Sequence, residues 1–217
     1  MSTSRHHHYL SQCYLKGFTQ GNAKKSKLTV VDLKESKTFE TIPRNVGGMR
    51  DFNRVEIEGV DPEVIEKTQS EFESKVAKAL QDLTETLDFS GETKDLILEL
   101  IGMLAIKSPE MREHLSKPLI QIAKMTMAMT METKERWESQ IAQVKADTGE
   151  DISNGKTYEE MKAFVEGQEY DITVKKEQQI HMELIGMQQI TELLHMRNWT
   201  LIKAGGESSE FITTDNP

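Results

Sequence analysis

Cysteine occurs once, as Cys13, in 217 residues, which removes any intrachain disulfide framework and fits a reducing cytoplasm. Glycine-rich phosphate loops and paired zinc-type cysteines are also missing, so two common signatures of nucleotide and structural-zinc chemistry are absent. Basic charge is short: 27 Lys plus Arg against 36 Asp plus Glu leave a net charge of −9. Generic affinity for a phosphate backbone comes from Lys and Arg, so nucleic acid is not an expected partner. No long hydrophobic run exists. The most apolar stretch, 96–106, is interrupted by Glu99 and falls short of the roughly 20 residues that span a bilayer, so no membrane partner is expected. The start carries Arg5 and three histidines in place of an apolar signal-peptide core, and the expected location is cytoplasmic.

What is present begins with Arg5-His6-His7-His8-Tyr9-Leu10-Ser11-Gln12-Cys13-Tyr14-Leu15-Lys16-Gly17-Phe18. Polar and aromatic residues crowd where most chains are a frayed end. Tyr14, Leu15 and Phe18 lie about one helical turn apart, so a short helix with Ser11 as its N-cap is expected to bury them, with the histidines just ahead of it. Cys13 reads as a small buried residue rather than an activated thiol.

Further along, β-branched runs at 28–33 and 38–42 flank a turn at 35–37 and predict a β-hairpin. Residues 44–52, with paired Gly47 and Gly48, read as an irregular connection that either simply links elements or carries Asn45 and Asp51 toward a site. Asp61-Pro62 opens a long amphipathic helix whose stripe includes Ile65, Phe72, Val76, Ala79, Leu80, Leu83 and Leu87, with Glu73 beside it. A second helix, 92–107, is apolar nearly all round and should be buried. Ser108-Pro109-Glu110 starts the next, and Pro118 is expected to kink or break it. Methionines 125, 127, 129 and 131 alternate, but the flanking helix formers favour one helix across 119–144, with the methionines mainly in a core. A loop at 147–156, a capping box at Thr157 and Glu160, and a helix over 173–196 follow. His181 and His195 on that last helix are too far apart to share an ion. Residues 199–204 and 211–214 predict two strands around a turn at 205–209, delivering Asp215-Asn216-Pro217 at the tip.

These patterns predict an α+β fold, predominantly α-helical, with small β-hairpin or sheet structure near the N- and C-termini packed on a multi-helix lobe. The expected organisation is a single domain, 1–217: an N-terminal motif with a hairpin over 1–60, a helical lobe over 61–196, and a C-terminal hairpin over 197–217.

The motifs resemble a bacterial domain-of-unknown-function family, number 4238. Its members open with His-His, Tyr-Leu and Phe in the order seen at His7-His8, Tyr14-Leu15 and Phe18, and the later pieces Val30-Val31-Asp32, Arg44-Asn45-Val46, Asp51-Phe52, Phe72-Glu73-Ser74-Lys75-Val76-Ala77, Trp199 and Thr214-Asp215-Asn216-Pro217 follow in family order. Ser11 stands where the family usually has proline, Asn53 where it often has tyrosine, and Lys107 where it often has arginine. Members usually continue beyond Asp-Asn-Pro, so this chain is expected to be a C-terminally truncated form.

Two readings remain open. In one, the motif residues form a buried His/Glu/Asp hydrogen-bond network that ties the N-terminal segment to the last strand, no cofactor is bound, and the helical lobe takes a protein partner through a Met-rich surface. In the other, His8, Glu73 and Asp215 converge as metal ligands and catalytic groups, holding one divalent ion that activates water in a hydrolase or nuclease. His7, Gln12, Tyr14, Asn45 and Asn216, from the same motifs, are the accompanying candidate binding residues. Both readings require the two ends of the chain to meet beside the first long helix.

Overall fold

Strand β1 (His6–His8) finds its partner 40 residues on, in β4 (Gly48–Arg50), with His6 opposite Arg50 and His8 opposite Gly48. Between them lie helix α1 (Gln12–Lys16), a separate antiparallel hairpin of β2 (Leu28–Asp32) and β3 (Lys37–Thr41), and a single 3-10 turn at Pro43–Asn45. The coordinates are a computed structural model that describes residues 5–21, 23, 25–168, 170–203, 211–215 and 217. Helices α2 (Val64–Thr86), α3 (Gly91–Ile106), α4 (Pro109–Thr130), α5 (Lys134–Thr148), α6 (Tyr158–Gly167) and α7 (Lys176–His195) complete the described elements. The chain is α+β and mostly helical. Among the described residues no helix is long and apolar enough to cross a membrane.

Contacts divide the chain into two compact units, Met1–Arg112 with Lys176–Pro217, and Glu113–Lys175. The first is built on α2, α3 and α7. Its core is Leu10, Leu15, Leu28, Val76, Leu100, Met103 and Leu104, so the N-terminal motif and the hairpin share one apolar cluster with α2 and α3. Gly102 lets α3 approach α7 closely, since a Cβ there would lie 2.5 Å from Thr191 Oγ1. The second unit has a small core of Met131, Trp137 and Val165, closed by Met127, Ile141, Tyr158 and Met161. The Tyr158 hydroxyl donates to Met131 O at 2.9 Å, and the expected capping box of Thr157 and Glu160 opens α6.

Several local expectations are corrected. Ser11 precedes α1 but makes no side-chain cap bond; its hydroxyl is buried and lies 2.9 Å from Cys13 Sγ. Of the two outcomes expected at Pro118, the break does not occur, since α4 runs through it. The single helix expected over 119–144 is two, because Thr133 accepts from Arg136 N and caps a new one at α5. Of the methionines, Met131 is buried, Met127 packs against the small core, and Met125 and Met129 are exposed. Residues 199–203 and 211–214 have no strand structure, and the turn expected between them lies outside the described residues.

Candidate functional site

Successive side chains on a strand point to opposite faces, so the three histidines of β1 reach different surroundings. His6 and His8 share a face, their rings edge-to-face at 5.0 Å, and His7 points the other way and is fully buried. The turn before β4 makes this possible. Gly47 adopts φ +65°, and its carbonyl accepts from Tyr9 N at 2.9 Å and Leu10 N at 3.0 Å. A Cβ on Gly47 would come 2.7 Å from Leu10 Cβ. Gly47→Ala therefore combines left-handed strain with a clash against the core; about 2 kcal/mol of stability should be lost, read as a lower midpoint in chemical denaturation.

Both buried imidazoles are held by hydrogen bonds to distant parts of the N-terminal motif or its flank. The Asn53 backbone N–H donates to His7 Nδ1 at 3.0 Å, and a backbone N–H has no other role. His7 Nδ1 is the acceptor in this bond. His7 Nε2 faces Glu63 Oε2 at 3.1 Å without hydrogen-bond geometry. His8 donates from Nε2 to Arg44 O at 3.0 Å and accepts at Nδ1 from the Gln12 amide at 3.3 Å. Burial, reinforced by nearby His6, pushes His8 below the ordinary imidazole range, although the bond to Arg44 O opposes this.

Gln69 of α2 joins these groups to the rest of the unit. Its Oε1 accepts from Asn53 Nδ2 at 3.0 Å and from the Lys107 ammonium, and its Nε2 donates to His8 O at 3.2 Å and Glu73 Oε1 at 3.0 Å. Donor-only partners sit on one side of the amide and acceptor-only partners on the other, so its orientation is unambiguous and its four hydrogen bonds are all made. Asn53 Nδ2 also donates to Glu66 Oε2 at 2.6 Å, and Arg54 Nη1 donates to Glu63 Oε1 at 2.8 Å.

Lys107, at the end of α3, is buried with Gln69 as its hydrogen-bond acceptor, and desolvation pulls its amine down to about 8 against the attraction of Glu183, Glu66 and Glu73. Burial also raises the Glu73 carboxyl, opposed by hydrogen bonds from Gln69 and Ser11 and by the charge of Lys107. Beside this cluster Arg112 grips Glu183 of α7 with Nε at 2.6 Å and Nη2 at 2.8 Å, donates from Nη1 to Phe52 O at 2.7 Å, and stacks 3.5 Å from the Phe52 ring centroid. The two ends of the first unit's sequence also touch: Tyr14 OH and Thr213 Oγ1 lie 2.8 Å apart, and the charge of Asp215 helps burial raise the Tyr9 phenol.

The family model described as "Protein of unknown function (DUF4238)" matches residues 6–217. The chain belongs to the DUF4238 family. No curated protein and no solved structure matches it.

In this DUF4238 chain the sequence candidates are only partly brought together. His7, His8 and Gln12 join Glu73 through Gln69 or the β1 backbone, and Tyr14 reaches the C-terminal segment. Asp215 is exposed and touches the motif through its field on Tyr9, and the carboxylates beside His7 are Glu63 at 3.1 Å and Glu66 at 3.9 Å. Asn45 bonds locally to Thr41 Oγ1 at 3.0 Å, and Asp51 is paired with Arg5, whose guanidinium holds its carboxyl below the usual range. Asn216 lies outside the described residues. Among those residues no group of three or more His, Cys, Asp or Glu is arranged to hold a metal ion.

Sequence reasoning passed over Glu63, Glu66, Gln69, Arg112 and Glu183. A signal existed: Glu66, Gln69 and Glu73 continue, at helical spacing, toward the Val76 and Leu80 stripe, and Glu183 sits one turn from buried Ile180 in α7. Polar residues in register with an apolar stripe point to a buried network as well as to a solvated flank.

Proposed function

We propose that this DUF4238 protein is a non-catalytic domain in which the buried network fixes one arrangement of the N-terminal motif, α2, the end of α3 and the start of α4, and in which the Glu113–Lys175 unit receives a protein partner. The observation that carries the first half is the Gln69 amide. Its full set of hydrogen bonds joins His8, Asn53, Glu73 and Lys107 through one side chain, as polar groups do when they specify packing. A hydrolase built on His8, Glu73 and Asp215 would need His8 to release Arg44 O or Gln12 before either ring nitrogen could bind an ion.

His8→Ala separates the two readings. As a packing residue its loss strips partners from Arg44 O and Gln12, and the unfolding free energy should fall by about 2 kcal/mol. A catalytic ligand would leave the denaturation midpoint nearly unchanged and abolish divalent-metal binding and phosphodiesterase activity instead.

The partner surface is the outer face of α4, where Ile122, Met125 and Met129 recur at helical spacing and are each more than half exposed. Pliant methionines suit a surface that adapts to another chain. Replacing all three with lysine should shift stability by no more than about 0.5 kcal/mol, because exposed positions contribute little to folding. A fall of several kcal/mol in the same denaturation measurement would place the stripe in a core and remove it as a docking face.

A further inference from the structure

We draw no further inference here: the strongest candidate, the cleft between α2 and α3 where Glu71, Glu92, Asp95 and Glu99 surround Phe72 and Leu96, is an acidic cluster, and nothing else in the structure points to the ligand that would occupy it.

Discussion

Arg112→Met is expected to cost about 3–5 kcal/mol of folding stability, the range found when one partner of a buried ion pair is removed. The pair is deeply enclosed, with both side chains 7% exposed, so Glu183 would be left in a poorly solvated site without its bidentate guanidinium partner, with only the field of Lys107 acting on it. Phe52 O would lose a donor and the Phe52 ring its stacked guanidinium. Natural domains are stable by only about 5–15 kcal/mol, so the single variant should be largely unfolded at moderate denaturant where the parent is folded. Adding Glu183→Leu removes the stranded carboxylate and should recover most of the loss, because replacing a whole buried pair with apolar residues is often close to neutral. Circular dichroism melts of the four combinations measure the coupling; a double variant no more stable than Arg112→Met would show that the two side chains do not act as a pair.

The second large effect is a pH dependence centred on Lys107. Its amine lies at about 8 in the folded protein and near the ordinary 10.5 when unfolded, so the unfolded chain binds the proton more tightly. Stability from this group is fully present above about 10.5, and it is lost as pH falls through about 8. The displacement corresponds to roughly 3 kcal/mol across that window. Cys13 and Tyr9 act in the opposite sense, because burial raises both and unfolding becomes easier as each ionises at high pH. The readout is therefore a difference. Denaturation free energies of the parent, taken from pH 7 to pH 10.5, should climb relative to those of Lys107→Met by about 3 kcal/mol. Parallel curves for the two proteins would mean that the amine is solvated or already matched by a carboxylate. Lys107→Arg should show no climb, since a guanidinium stays charged throughout.

Much of the helical scaffold was legible because its causes are local. The stripe through Phe72, Val76, Ala79 and Leu80, the all-round apolar run of α3, the restart at Ser108-Pro109, and the Thr157 capping box each rest on neighbours within a few turns. The β2–β3 hairpin is local in the same sense. β4 was not legible: three residues, two of them unremarkable, become a strand because β1 lies alongside, and that partner is distant in sequence. The extra break at Thr133 was missed because a threonine inside a run of helix formers reads as one more helical residue until its hydroxyl is seen to accept from Arg136 N.

For the candidate site, the sequence by itself picked out the N-terminal motif and the paired Gly47 and Gly48 of an irregular connection. Only the tertiary structure decided the partners. Asp215 and Glu63 are equally ordinary carboxylates in the sequence, yet the fold brings Glu63 to His7 and leaves Asp215 in solvent. Gln69, Lys107 and Arg112 acquire their roles when α2, α3, α4 and α7 converge and water is excluded. A polar side chain on a helix looks the same whether it faces water or another helix; burial makes its hydrogen bonds obligatory, and burial is a property of the assembled chain.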